Sequence, residues 1–268
     1  LALLANDYIG GAEAQPMFAE ARAAADRALA LDPDLGSAHG ALAWLLWAVD
    51  FNWSGAEAEY RRALELTPND SQALRRVGWI LAILGRPQEG VALIRQALDI
   101  DPLTATTHDL YATFLPALGR LDEAEQAARR AMSLQPAAGI YAVRLVTLQV
   151  LRGEAKAALE TARQMKPGKW QDLALAFAMQ TGSDSAAADS AVQKVIDTQA
   201  KTVAFQIAEI QAFRKQPDKV FEWLERAYGN RDAGIGGLLT DPFLKAYQND
   251  PRFSAFCKTV GLPGPGGS

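Results

Sequence analysis

Few side chains able to do chemistry occur in this 268-residue chain, and they are scattered. There are two histidines, His39 and His108, and one cysteine, Cys257. Neither histidine has a second one at metal-ligand spacing. A lone thiol excludes an intrachain disulfide and a cysteine-based zinc cluster. Asp109 adjoins His108, but neighbours on a helix point in different directions, and no nearby serine completes a nucleophile arrangement. The acid pairs Asp122–Glu123 and Glu57/Glu59 open or line helices, where carboxylates complement the positive helix terminus. The stretch "GEAKAAL" from Gly153 places a lysine near a glycine but lacks the spaced glycines and Lys-Ser/Thr ending of a phosphate loop. Cys257, within "RFSAFCKTV", reads as a small core residue and not a nucleophile. Residue types and spacing thus predict no catalytic residues, no cofactor site and no metal site in this segment.

What the chain does carry is a repeated way of ending helices. "RALALDP" from Arg27, "RALELTP" from Arg62, "QALDIDP" from Gln96 and "RAMSLQP" from Arg130 are near copies. Their alanines, Ala28, Ala63, Ala97 and Ala131, lie 35, 34 and 34 residues apart, and Pro33, Pro68, Pro102 and Pro136 keep the same intervals. A period of that length sets the whole fold. Each unit reads helix, turn, helix, turn. "SQALRRVGWILAILGR" supplies a first helix ended by Gly85. "PQEGVALIRQALDIDP" supplies a second, opened by Pro87 and closed by Asp101-Pro102, with proline at the entry and glycine at the exit as expected. Gly78 against Gly90, and Ala112 against Ala124, mark where two helices approach closely. Val77, Leu81, Ile94, Tyr111 and Leu115 fill the spaces between. One such hairpin leaves an apolar flank bare, so each must stack on the next.

Ala56-x3-Tyr60-x2-Ala63-x4-Pro68, repeated in register, resembles the tetratricopeptide repeat (TPR). The resemblance implies an all-α, right-handed solenoid of about seven helical hairpins with a C-terminal helical cap. Residues 1–229 form the array, clear over 1–136 and degenerate over 137–229. Residues 230–262 supply the capping helices, opened by Asp241-Pro242 and Asp250-Pro251, with Phe243, Leu244, Tyr247, Phe253 and Phe256 covering the last apolar face. Residues 263–268 are a flexible tail or cloning remnant. The stretches "FEWLERAY" and "FNWSGAEAEYRRALEL", together with this tail, are similar to the C-terminal repeat region of bacterial signalling proteins. There the repeats follow an adenylate or guanylate cyclase, a protein kinase or a winged-helix domain.

In that family the first helices line a concave groove. Extrapolated here, its geometry places Trp44, Trp47, Arg75, Trp79, Asp109, Thr113, Val143, Thr147, Leu173 and Phe177 on or near the groove. Exposed aromatics beside an arginine are typical of binding hot spots. Aromatic stripes at helical spacing also make cores, and that alternative stays open for Trp44, Trp47 and Trp79. The lysine, asparagine and arginine set with which some TPR domains grip acidic chaperone tails is missing. An apolar ligand fits better, with Arg75 or Arg76 meeting one carboxylate. The expected function is a non-catalytic scaffold for a protein or peptide partner, as the regulatory or assembly part of a larger signalling protein. Self-association of such a signalling enzyme is the alternative.

Bulk properties fit. The chain is 49% hydrophobic and 22% charged, an ordinary globular composition. A net charge of −4 argues against nucleic-acid binding by this segment. The longest apolar run, "ALAWLLWAV" from Ala41, is too short for membrane insertion. "LALLANDYIG" has no basic region before it and is a poor signal peptide, so a cytoplasmic location is expected. The missing initiator Met and the "GPGGS" ending suggest a fragment of something longer.

Overall fold

The computed structural model describes residues 15–266. The N-terminal part of the first hairpin and the last two residues of "GPGGS" fall outside the described residues. What remains of that hairpin is α1 (Gln15–Leu31). Six complete hairpins follow: α2 (Gly36–Ala48) with α3 (Trp53–Leu66), α4 (Ser71–Ile83) with α5 (Pro87–Ile100), α6 (Ala105–Phe114) with α7 (Leu121–Leu134), α8 (Gly139–Leu151) with α9 (Ala155–Gln164), α10 (Lys169–Ala178) with α11 (Ser185–Gln199), and α12 (Ala204–Phe213) with α13 (Pro217–Gly229). A last helix, α14 (Pro251–Thr259), stands alone. No strand occurs among the described residues.

Local chemistry explains the punctuation. Asn52, Asp70, Asp184 and Asp250 each accept a hydrogen bond from a first-turn amide of the helix they precede, satisfying donors a helix start leaves bare. The turn inside most hairpins needs a left-handed residue: Gly85 (φ 82°), Gly119 (φ 73°) and Gly153 (φ 74°) supply it, whereas Phe51 (φ 52°) and Lys215 (φ 57°) take that conformation with a side chain.

Packing follows from the small residues. A Cβ on Gly78 would meet the Gly90 carbonyl oxygen at 2.6 Å, and one on Gly90 would meet that of Gly78 at 2.4 Å. The α4 and α5 backbones touch there, so nothing larger fits. Ala112 and Ala124 hold the matching crossing of the next hairpin, both fully buried. Ion pairs tie neighbouring units across the outside, among them Arg86–Glu57 at 3.0 Å and Arg214–Asp189 at 2.9 Å. At these exposures such pairs add little stability.

The segment after α13 departs from the expected cap. Asp241-Pro242 opens no α-helix: the chain makes short 3-10 turns at Ala233–Gly237 and Leu244–Tyr247 before Asp250 and Pro251 open α14. More consequential is its path, for it covers far more than the end of the last hairpin.

Candidate functional site

Residues 230–262 pack against the first helices α4, α10 and α12. Asp232 anchors the entry. Its carboxylate accepts the Gly234 amide at 2.9 Å and, from α12, the Phe205 amide at 3.0 Å. Burial raises the pKa of this carboxyl despite those amides. The glycines that follow pass where no side chain fits. A Cβ on Gly234 would lie 2.5 Å from Phe205 Cβ, and one on Gly236 would lie 2.7 Å from the tip of Ile83 on α4. Phe243 then enters between Phe177 of α10 and Phe213 of α12, with ring centroids 6.0 and 6.1 Å away. Such pairs add about 1 kcal/mol beyond the area they bury. The Tyr247 hydroxyl donates to the Ala212 carbonyl at 3.3 Å.

The ends of the array also meet. Trp53 Nε1 donates to the Val260 carbonyl at 2.7 Å, across 207 residues of sequence. Arg231 donates to the Val49 carbonyl at 2.6 Å and lies over the Phe51 ring. Phe51 contacts Tyr228 of α13, with centroids 5.6 Å apart. The α14 helix thus bridges the last hairpin and the first complete one.

One stretch of the inner face stays uncovered. A cleft of about 190 Å³ lies between α4, α6, α8, α12 and the C-terminal segment. Trp79, Leu110, Thr113 and Pro116 are half-buried along it, as are Arg144 and Gln206. Its floor holds two acids, Glu209 of α12 and Asp241. Glu209 is 8% exposed. Burial pushes its pKa well above the usual carboxylate range, and the Asp241 carboxyl beside it adds to the shift. Burial raises Asp241 as well, against the opposing pull of Glu209 and the Phe243 and Leu244 amides. Arg144 is the nearby cation, and Asp109 holds it at 3.3 Å.

These contacts separate the groove residues expected from sequence. Trp79, Thr113 and Thr147 line the cleft, and Asp109 stands behind it through Arg144. Thr147 is nevertheless buried, its hydroxyl bonded to the Arg144 carbonyl. Trp44, Trp47, Val143, Leu173 and Phe177 are buried core and not groove surface. Trp44 and Trp47 belong to an aromatic chain running Phe18, Trp44, Trp47, Trp53, and Trp47 also meets Trp79 at 4.4 Å. Leu173 and Val143 belong to the main buried cluster, while Phe177 is covered by Phe243. Arg75 lies outside the cleft lining and is half-buried. Burial and the neighbouring Arg76 guanidinium push its pKa down. Arg144, Glu209 and Asp241 escaped the sequence reading. Glu209 had a signal, since it is the one charge in the otherwise apolar or amide-bearing helix "AFQIAEIQAF".

The remaining reactive side chains are structural. His39 Nε2 meets the Pro33 carbonyl at 2.9 Å and Nδ1 meets Glu59 at 2.6 Å. Both partners only accept, so the doubly protonated ring suits the site; burial opposes that charge, but these bonds outweigh it and raise the pKa. His108 Nε2 meets the Pro102 carbonyl in the same way, at 3.0 Å. Each ring ties a first helix to the turn before it. The Cys257 thiol is buried, which pushes it up to about 11. No cluster of three metal-ligating side chains and no helix long and apolar enough to cross a membrane occurs among the described residues.

An array of helical hairpins with closely crossed small residues and an inward row of first helices is the architecture of a TPR solenoid, and solved structures place the chain in that class. PilF of Pseudomonas aeruginosa matches with a TM-score of 0.57 at 18% identity, over 79% of this chain and 95% of its own. TTC0263, a TPR protein of Thermus thermophilus, gives 0.54 at 15% identity, over 72% and 99%. A chain of the APC/C hetero-tetramer Cut9–Hcn1 gives 0.60 at 14% identity over 90% of this chain, which spans 45% of that longer one. No family model matches the sequence, and neither does any curated protein. Identities this low speak for fold alone: the chain is an all-α, right-handed TPR solenoid.

Proposed function

We propose that this chain is a non-catalytic protein–protein interaction scaffold that anchors a peptide or protein segment at the cleft on its inner face. The observation that carries the reading is the cleft itself. It is a stretch of inner surface left uncovered by residues 230–262, and three successive first helices contribute Trp79, Thr113 and Arg144 to it. An aromatic, a hydroxyl and a cation held by a packed array need little ordering on binding. A cleft of about 190 Å³ admits one or two side chains, so the partner lies across the mouth and inserts an anchor. The similarity of "FEWLERAY" and the tail to repeat regions of bacterial signalling proteins supports a place in such a protein. The array would be its cytoplasmic regulatory or assembly part, following an adenylate cyclase or a transcriptional regulator domain.

Affinity capture with the purified chain, followed by titration of each captured protein, tests this. Trp79→Ala and Thr113→Arg, one emptying and one blocking the mouth, are expected to weaken binding at least about tenfold, the scale of one hot-spot side chain. Binding that ignores both substitutions would place the interaction elsewhere and overturn the cleft reading.

A further inference from the structure

A second surface lies away from the cleft, on the corners where α7 turns into α8 and α9 into α10. A hollow of about 420 Å³ opens there, and its lining residues differ from those of the cleft. Its walls are apolar: Met132 of α7, Ala142 of α8, Met165 just after α9 and Trp170 of α10. Both methionines and the tryptophan are half-buried, so each keeps part of its surface in water. Two glycines shape the place. A Cβ on Gly139, the first residue of α8, would lie 2.7 Å from Trp170 Cβ, so the tryptophan packs directly on bare backbone. Gly168 turns the chain at φ 146°, a conformation that favours glycine, between the exposed Lys166 and Lys169. Lys169 Nζ lies over the Trp170 ring, 4.7 Å from its centroid. Both lysines line the hollow, and among the described residues no acid does. That makes it a locally basic, partly apolar spot on a chain of net charge −4.

We propose that this hollow docks an acidic segment of a partner protein, with a bulky apolar side chain entering between Met132, Met165 and Trp170 while carboxylates beside it meet Lys166 and Lys169. The methionines adapt to the shape of an entering side chain. Tryptophan is a preferred anchor of binding hot spots. The lysines stand at the rim, where charge selects and steers a partner. Remote acids of this chain do not cancel that attraction, because charges more than about 8 Å apart are largely screened at physiological ionic strength. A nucleic acid is the poorer occupant, since its continuous charge runs past the two lysines over a chain that is acidic on balance. With its own lining, this surface stands or falls independently of the cleft.

Selection of a random dodecapeptide library on the intact chain, followed by fluorescence-anisotropy titration of the enriched peptides, tests the surface. The expected peptides combine Asp or Glu with a large aliphatic or aromatic residue. Lys166→Glu together with Lys169→Glu is expected to weaken them at least about tenfold, and so is Trp170→Ala. Both lysines are exposed, and Lys169 opens α10, where a carboxylate complements the helix start, so the charge-reversed chain is expected to fold. Circular dichroism checks the folding of each variant. A selection that enriches no acidic peptide would overturn the proposal, as would peptides that bind the folded lysine variant as tightly as the parent chain. Acidic peptides that respond only to Thr113→Arg would sit in the cleft, which would support that site and overturn this one. A thymidine dodecanucleotide is the nucleic-acid arm, and weak or no binding is expected. Binding tighter than the best peptide, and lost in the lysine variant, would overturn the choice of a protein segment.

Discussion

Along its inner face the array is finished in two ways. From α10 to α13 the first helices present Phe177 and Phe213, and the C-terminal segment answers with Phe243, followed by Leu244, both buried. From α4 to α8 the same segment passes as glycines and Asp241, and a cleft with a hydroxyl, a guanidinium and two carboxyls stays open. Both regions come from one repeat architecture and are faced by one short segment. The difference lies in what that segment carries. Where it has aromatics the face becomes core, and where it has glycines it can approach Phe205 and Ile83 closely yet fills little space. A solenoid's inner surface is therefore decided as much by its non-repeating tail as by its repeats.

Three changes break or sharpen that contrast. The largest effect belongs to the sealed side. Phe243→Ala removes the ring between Phe177 and Phe213 and is expected to cost about 3–5 kcal/mol in chemical denaturation. A loss under about 1 kcal/mol would show the seal to be loose. Next is the close approach. Gly234→Val sets a side chain where Phe205 Cβ stands 2.5 Å away, and about 1–3 kcal/mol of overpacking is expected by the same measurement.

The smallest effect is a change of slope on the open side. The folded state raises both Glu209 and Asp241, so it keeps a proton that the unfolded chain releases. That contribution is fully present below the ordinary carboxylate pKa. It is lost as pH rises from there through the raised folded-state values. One proton accounts for at most about 1.4 kcal/mol per pH unit. Glu209→Gln removes one of the two raised carboxyls, so its stability relative to the parent chain is expected to climb as pH rises through and above the ordinary carboxylate range. Urea midpoints across that range read the difference, and a flat difference curve would mean that the two carboxyls do not interact.

Much of the array was legible because repeats encode nearest-neighbour contacts. The four matching helix endings located the turns, and Gly78 with Gly90 located the crossing that the carbonyl contacts confirm. The path of residues 230–262 was not legible. Periodicity reports which unit stacks on which, whereas a segment without a period can lie on the end of the stack or run inside it, and its aromatics read alike in both. The same ambiguity left Trp44 and Trp47 open between groove and core, and it hid that Phe243 covers Phe177. Helical spacing shows that two residues share a face, and the neighbouring element decides whether that face is wet. Of the cleft, Trp79 and Thr113 were within reach of the repeat geometry. Glu209 and Asp241 meet only through the tail's return, a contact between residues 32 positions apart that no motif announces.

The central claim is that residues 230–262 belong inside the array. Native-state hydrogen exchange tests it most directly, read at the amides of Gly234, Phe243 and Leu244, which bond to Asp232 and Asp241. The account predicts that they open only with global unfolding, at the same free energy as the core amides of α8 and α12. Exchange of these amides orders of magnitude faster than the helices would show the segment lifting away from an intact array, and would contradict it.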